Sequence, residues 1–266
     1  MGKVAEALMK RLNTVISLLG ALLVWEIAVR TIGTPEYILP APSKVLADLW
    51  RNIHVLIPAS YATLQPMVLG FLLAAALGVL LALLVVYSRA FEAIFYPLLV
   101  VLQIIPKIAV APLFIIWVGY GLTSKVLLVF LLSFFPIVVN SIVAFKSIES
   151  DVYDLARSYR ASRFKIFWRV ELPSALPSLF AGFKVAAALS ATAAVVAEFV
   201  ASDSGLGYLL LNYNGNMNTS MTFAVILVLS VLGLLLYGVV ELVERWAIPW
   251  HVSQRRDDLV VGKSPA

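Results

Sequence analysis

Few residues in this 266-residue chain are suited to catalysis or to metal binding. There is no cysteine, and the two histidines, His54 and His251, stand far apart, so neither a thiolate site nor a histidine-rich metal cluster is indicated. Residues 262–264 read Gly-Lys-Ser, as at the end of a phosphate-binding loop, but Asp257 occupies the position where that motif has its first glycine. We therefore expect no catalytic residue, no metal site and no cofactor bound by this chain.

Three polar side chains, Gln103, Lys107 and Asn140, lie inside long apolar stretches. Polar groups in such segments are costly and usually face a cavity or a partner. One interpretation is that they line a solute pathway and attract an anionic or hydrogen-bonding solute. The other is that Lys107 is a structural ammonium, satisfied by backbone carbonyls that Pro106 frees or by Glu198.

A second group of residues begins at Glu198. Gly205, Leu206 and Gly207 follow shortly after it, and Tyr208 comes next. Two glycines around one leucine suit a tight turn that sends the chain partway back in the direction from which it came. This pattern predicts a gate near Leu206 and Tyr208, and an ordinary surface turn is the alternative.

The one substantial polar insert covers residues 147–178. Ser150 is placed to cap a short helix that ends near Tyr159, with acidic residues in its first turns and arginines towards its end. Ser162 is placed to cap a second helix, which Leu172-Pro173 should stop because proline has no N–H to donate to the preceding turn. The insert therefore predicts a helix-turn-helix that is too polar to cross a membrane and too apolar to be a free loop.

This insert resembles the cytoplasmic loop of the permease subunits of binding-protein-dependent ABC importers. The family pattern is E-A-A, three residues, G, nine residues, I-x-L-P, and the matching residues here are Asp154-Leu155-Ala156, Arg160 and Val170-Glu171-Leu172-Pro173. The spacing is kept throughout, but Leu155 replaces the first alanine and Arg160 replaces the glycine. Since only glycine takes left-handed conformations freely, we expect Arg160 to widen or reshape the turn between the two helices.

The resemblance implies that the loop forms coupling helices that dock on a separate ATP-binding subunit, which binds ATP and Mg²⁺. The residues that inherit this role by position are Asp154, Ala156, Arg157, Arg160, Val170, Leu172 and Pro173. It also implies two ATP-binding subunits, a second permease copy that makes a homodimer, an extracytoplasmic binding protein that delivers the solute, and surrounding lipid, with no nucleic acid. The alternative is a basic helix pair that merely binds anionic lipid headgroups.

Long apolar segments must position all of these residues. The chain is 62% hydrophobic and 13% charged, whereas an ordinary soluble domain has about 25% charged residues. About 20 apolar residues are needed to cross the hydrocarbon of a bilayer. The segments that qualify are 13–32, 64–88, 94–119, 124–146, 177–200 and 222–244. We therefore expect an all-α membrane protein with about six transmembrane helices and a cytoplasmic coupling helix pair between the fourth and fifth.

The basic residues set the expected orientation. With the amino terminus inside, fourteen of the twenty Lys and Arg residues fall in cytoplasmic segments and four fall outside, so both termini should be cytoplasmic in a bacterial inner membrane. The expected division is a cytoplasmic N-terminus at 1–12, a transmembrane permease domain at 13–250 that contains the coupling loop 147–176, and a cytoplasmic tail at 251–266.

Two further patterns concern helix surfaces. Ser43 is placed to cap an amphipathic helix on the outer side, which should lie along the membrane interface. Gly70, Ala74 and Gly78 form a row of small residues on the second span. Such a row suits either a dimer face or plain helix packing.

Other stretches narrow the resemblance. The segments 38–50, 112–125 and 198–211 resemble the nitrate, sulfonate and taurine permease subfamily. Within it, QIIPKIAVAPLFIIWVGYG at 103–121 and AEFVASDSGLGYLLL at 197–211 favour the branch for riboflavin or the pyrimidine precursor of thiamine. The alternatives are an importer of nitrate, sulfonate or taurine-like anions and, in another class, an autonomous secondary transporter or channel.

Overall fold

In the computed structural model, residues 2–148 and 150–250 are described, and within these ranges the chain is helical with no β-strand. The helices are α1 (Gly2–Ile32), α2 (Pro42–Arg51), α3 (Ile53–Tyr87), α4 (Arg89–Ile104), α5 (Ala111–Val118), α6 (Leu122–Lys146), α7 (Ser150–Ser158), α8 (Arg163–Ile166), α9 (Leu172–Ala201), α10 (Leu206–Gly215) and α11 (Thr219–Ala247). A short 3₁₀ helix (Lys107–Val110) precedes α5, and a π-helical turn (Phe167–Glu171) joins α8 to α9.

Four described helices are long and apolar enough to cross a membrane: α3, α6, α11 and the helical stretch 163–200. They cover the second, fourth, sixth and fifth predicted spans. The first predicted span, 13–32, lies within α1. The described residues thus provide four spans, or five if α4 and the helical segment after it count as one, and the number six stays a prediction.

The third predicted span, 94–119, is not one kinked helix. α4 ends at Ile104, and the helical segment Lys107–Val118 is bent from it by 91°. The break falls at Pro106, which cannot donate an N–H to the preceding turn and which holds Ile105 in extended backbone (φ −64°, ψ 128°). The segment is therefore a broken span or a re-entrant one, and Lys107 stands directly after the bend.

The core forms where α6 packs between α3 and α9. A Cβ at Gly70 would lie 2.6 Å from the Val129 Cβ, and one at Gly78 would lie 2.8 Å from the Ile137 Cγ2. The small residues of α3 therefore let α6 approach closely, so that this row serves packing within the chain rather than a dimer face. On the other side of α6, the Ser133 and Ser190 hydroxyls hydrogen-bond at 2.9 Å and tie it to α9.

The second helix of the polar insert does not stop at Leu172-Pro173. α8, the π-helical turn and α9 form one unbroken helix. The Leu172 N–H bonds to the Phe167 carbonyl, five residues back, and this wider turn resets the hydrogen-bond register. Pro173 directly follows this wider turn, so the hydrogen bond that proline cannot donate falls where the register has already changed. The insert is therefore joined rigidly to the fifth predicted span.

At the other end of the molecule, α1 caps α2. The Glu26 carboxylate accepts the Ser43 N–H at 3.0 Å and the Ser43 hydroxyl at 2.7 Å. Ser43 is therefore not the cap that the sequence predicted, because the helix starts one residue earlier at Pro42, a residue whose fixed φ suits the first helical position. Along α2, Trp50 is exposed, as expected for a helix at a membrane interface.

No break in the described helices coincides with the predicted boundary after residue 12. α1 runs without a break from Gly2 to Ile32, so the division between residues 12 and 13 stays a prediction. The tail 251–266, with His251 and the Gly-Lys-Ser triplet, lies outside the described residues.

Candidate functional site

The structure brings Gln103, Lys107 and Asn140 together. All three line one cavity of about 540 Å³ where α4, the 3₁₀ helix and α6 meet. The rest of its wall is mostly apolar and includes the ring of Phe135 and the side chain of Leu189. Residues from two separate predicted spans thus share one space, as the interpretation of a pathway requires.

Lys107 has no acidic neighbour among the described residues that line this cavity. Its Nζ donates to the Gln103 carbonyl at 3.3 Å and lies 4.6 Å from the centroid of the Phe135 ring. The carbonyl and the negative ring face stabilise the ammonium without neutralising it. Lys107 therefore has no carboxylate partner in this cavity, and its remaining donor capacity faces the cavity.

Asn140 has a structural role beside its place in the wall. Its Nδ2 donates to the Pro136 carbonyl at 2.8 Å, four residues back on α6. A Cβ at Gly182 would lie 2.7 Å from the Asn140 Cβ, so α9 passes very close to this residue. Asn140 therefore lies at the α6–α9 contact and also presents polar surface to the cavity.

Glu198 lies apart from Lys107, in a buried site at the start of α10. Its side chain is 1% exposed, and its Oε2 accepts the Gly207 N–H at 2.6 Å. The Thr63 Oγ1 accepts the Leu206 N–H at 2.8 Å. Side chains from α9 and α3 thus satisfy two N–H groups at the start of α10, which would otherwise have no partner.

The two glycines around Leu206 are explained by Glu198. Gly205 has φ +101° and ψ 171°, a conformation that is nearly restricted to glycine. A Cβ at Gly205 would overlap the Glu198 carboxylate, and one at Gly207 would lie 2.8 Å from the Glu198 Cβ. Both glycines and Leu206 are buried, unlike the residues of an ordinary surface turn, and Tyr208 is half-buried.

Lys125, one of the four basic residues that the charge count places outside, is a neighbour of this site. It is buried, and its Nζ donates to the hydroxyl of Ser202, which follows the end of α9. Together with Tyr120 and Asp203 it lines a polar depression of about 460 Å³. The sequence signal that could have revealed it is a lysine in the first turn of an apolar helix, directly after a Gly-Tyr-Gly segment.

α7 ends in a turn whose backbone conformation is the one expected if glycine stood at position 160. The Ala161 N–H bonds to the Ala156 carbonyl at 3.2 Å, which is the Schellman closure of a helix. Arg160 occupies the left-handed position of that closure with φ +50°. The expectation of a wider or reshaped turn is therefore wrong: Arg160 accepts the strained conformation, at a cost of about 1–2 kcal/mol.

The predicted cap of the second helix is present, since the Ser162 hydroxyl accepts the Lys165 N–H at 3.4 Å. Around the turn the loop displays large apolar side chains with exposed fractions of 61% for Leu155, 81% for Tyr159, 74% for Phe164 and 53% for Trp168. Such a surface, set among charged residues, is typical of a site that binds another protein.

The seven predicted coupling residues fall into two groups. Asp154, Ala156, Arg157 and Arg160 belong to α7 and its closing turn. Val170, Leu172 and Pro173 are half-buried within the continuous helix that becomes α9. The second group therefore belongs to the connection with the membrane domain rather than to the exposed part of the loop.

Glu171 is a residue whose importance the sequence did not reveal. It is buried, and its carboxylate accepts a hydrogen bond from the Tyr87 hydroxyl at the end of α3. A groove of about 900 Å³ beside it is lined by Tyr153 and Phe164 among others. Burial raises the pKa of the Tyr153 hydroxyl above its ordinary value. The π-helical turn is thus tied to α3 as well as to α9.

Two ion pairs also lie at this end of the molecule, which we call the loop end because α7 and α8 stand there. Lys184 of α9 pairs with the buried Glu244 of α11. Lys146 of α6 pairs with Glu92 of α4. Their partners are distant in sequence, so no local pattern signals them. Among the described residues, no group of three or more His, Asp or Glu side chains is arranged to hold a metal ion.

Long apolar helices with one rigidly attached polar loop define a multi-pass membrane protein. Residues 50–248 match the family of binding-protein-dependent transport system inner membrane components, and the chain belongs to this family. It is the permease subunit of an ABC transporter and not an enzyme, because the ATPase of such a system is a separate chain.

The proteins to which this chain is similar are named for several different substrates. The formylaminopyrimidine transport permease protein ThiX of Halalkalibacterium halodurans is 36% identical over 237 residues, covering 88% of this chain and 93% of the relative. The riboflavin transport system permease protein RibX of Chloroflexus aurantiacus is 37% identical over 240 residues, or 90% of each chain. The taurine transport system permease protein TauC of Escherichia coli is 28% identical over 241 residues, or 85% of each.

Among solved structures, the MetNI methionine ABC transporter in an inward-facing conformation is similar to this chain. The TM-score is 0.54 at 21% sequence identity, and the match covers 71% of this chain and 97% of the other. At this identity the likeness shows a shared fold alone.

Proposed function

We propose that the solute of this permease is a small organic molecule of the riboflavin or thiamine-pyrimidine type, delivered from outside by a binding protein. The supporting observation is the cavity at Gln103, Lys107 and Asn140, whose wall is mostly apolar with a few hydrogen-bonding groups. The relatives named for formylaminopyrimidine and riboflavin, at 36% and 37% identity, support the same branch.

The loop that includes α7 and α8 docks on the ATP-binding subunit through its exposed apolar side chains, with Asp154 and Arg160 at the contact. Two permease copies pair around the solute pathway, and two ATP-binding subunits, each with ATP and Mg²⁺, bind their loops. The loop end is cytoplasmic, as are both termini. Because α8 continues into α9, movement of the docked loop carries the fifth span with it as a rigid body.

The pathway runs by Gln103, Lys107 and Asn140. The external gate is the segment Gly205–Tyr208, which Glu198 holds in place. Since Leu206 is buried in the core, Tyr208 is the gate residue that meets the solute. Opening of this gate then requires α10 to move away from Glu198 or together with it.

An anionic solute is the second candidate. The unneutralised charge of Lys107 favours it, since an ammonium in a mostly apolar cavity attracts a sulfonate or nitrate. The relative named as a taurine permease, at 28% identity, belongs to this group. Because the chain belongs to the permease family, the alternative of an autonomous secondary transporter no longer applies.

Reconstitution of the permease with its ATPase and binding protein tests the proposed solute. We expect riboflavin or formylaminopyrimidine to stimulate ATP hydrolysis, and taurine, an alkyl sulfonate and nitrate to leave it unchanged. Stimulation by an anion alone would favour the second candidate. Uptake by the permease without its ATPase would contradict the importer mechanism itself.

A further inference from the structure

The cavity at Lys107 continues towards the loop end. A groove of about 400 Å³ lies between α4 and α6 and shares Gln103 and Val139 with that cavity. Its wall extends to Lys146 and Ser147, where α6 ends. The two spaces therefore follow one another along α6, from the bend at Lys107 to the loop end.

The two sides of α4 distinguish this groove from a surface that meets only lipid. The side in the groove carries Tyr96, Leu99, Val100 and Gln103. The opposite side carries Ile94, Leu98 and Val101, which are exposed and apolar. Their spacing of four and then three residues places them on one face of the helix. The polar groups of α4 are thus collected on the groove side, as expected where a helix meets water or solute rather than lipid chains.

An ion pair joins α4 and α6 at the loop end of the groove. Lys146 of α6, which lines the groove, pairs with Glu92 of α4. The Lys146 Nζ also lies 5.8 Å from the centroid of the Tyr96 ring. Both charged side chains are over 40% exposed, at 43% and 42%, so the pair can separate without leaving a buried charge unpaired.

We propose that the groove between α4 and α6 is the cytoplasmic half of the solute pathway, and that the Glu92–Lys146 ion pair is its exit gate. This inference rests on the proposed function, because it extends the pathway that starts at Lys107. The groove suits a largely apolar solute with hydrogen-bonding groups, since its wall is mostly aliphatic side chains and the Tyr96 ring, and the Gln103 amide offers hydrogen bonds.

The absence of cysteine from the chain allows single thiols to be labelled directly. Val100→Cys and Val143→Cys place a thiol in the groove, and Ile94→Cys and Val101→Cys are controls on the opposite side of α4. The probe is the membrane-impermeant cation MTSET, added to inside-out vesicles that hold the permease with its ATPase. We expect the groove thiols to react at least about tenfold faster, because a charged reagent needs a watery route. Equal rates at all four positions would overturn the proposal.

A second variant tests the gate. Glu92→Gln removes the ion pair, and the reaction of Val143→Cys should then accelerate by about two- to fivefold, the range that loss of an exposed pair allows. An unchanged rate would overturn the gate. Asn140→Cys separates this inference from the proposed function. If it reacts while the groove thiols do not, the exit lies elsewhere, and if none of them reacts, the pathway itself is wrong. Each variant is compared only after its ATPase is recovered in a pull-down.

Discussion

Gly205→Ala tests whether Glu198 holds the turn that starts α10. The nearest neighbours of a Cβ at this position are the Oε1, Cδ and Oε2 atoms of Glu198. The backbone at Gly205 also has φ +101° and ψ 171°, which alanine rarely adopts. The substitution therefore strains the backbone and displaces a buried carboxylate at the same time.

The two costs are separable in a double-mutant cycle. The backbone conformation costs alanine about 1–3 kcal/mol. Displacing the carboxylate leaves the buried Gly207 N–H without its acceptor, which costs about 1–3 kcal/mol more. Gly205→Ala should therefore destabilise the protein by about 2–6 kcal/mol. In a Glu198→Ala background only the backbone cost remains, so the same change should cost about 1–3 kcal/mol.

Gly207→Ala provides the contrast. Its Cβ would lie 2.8 Å from the Glu198 Cβ, 2.9 Å from the Glu198 Oε2 and 2.9 Å from the Val195 carbonyl oxygen. Removing the carboxylate relieves only the Oε2 contact, so most of the overlap remains. Gly238→Ala is the matched control, since nothing lies within 4 Å of its Cβ. The assay is unfolding of the purified permease in detergent, followed by tryptophan fluorescence. If Gly205→Ala costs the same with and without the Glu198 carboxylate, the reasoning is refuted.

Three further predictions concern the loop and the pathway. Arg160→Gly should stabilise the turn by about 1 kcal/mol and retain the ATPase in a pull-down, whereas Asp154→Arg should lose it; equal recovery would count against the assigned contact. Lys107→Met should lower solute uptake about tenfold with unchanged thermal stability, because it removes a charge-assisted hydrogen bond to the solute; normal uptake would exclude Lys107 from the pathway. Tyr87→Phe should destabilise the protein by about 1–3 kcal/mol by leaving the buried Glu171 without its donor, and an unchanged unfolding temperature would contradict that.

Local signals carried most of the fold prediction. Hydropathy placed α3, α6, α9 and α11, because the requirement for an apolar segment of sufficient length is a property of the segment alone. The cap at Ser162 was predicted for the same reason, since a cap depends on the next three residues. The family membership also followed from residues whose spacing is visible in the sequence.

The structural features that the sequence did not predict have one of two causes. Some depend on contacts between residues that are distant in the chain, and others on alternative backbone conformations of similar energy. The contacts of Glu198 with Gly207 and of Thr63 with Leu206 require three helices to be in place. Nothing local could show that Arg160 would accept a left-handed conformation, or that a π-helical turn would carry the helix past Pro173. A proline at 106 indicates that the helix is interrupted there, but it does not by itself give the 91° angle of the bend.

In the proposed function, the loop that contains α7 and α8 binds the ATP-binding subunit and moves the membrane helices. The most direct measurement is photo-crosslinking with benzophenone maleimide attached to Leu155→Cys in the assembled transporter, with Trp50→Cys of α2 as the control. We expect an adduct with the ATP-binding subunit at Leu155→Cys and none at Trp50→Cys. The absence of that adduct in a complex that hydrolyses ATP, or its appearance at Trp50→Cys, would contradict the account.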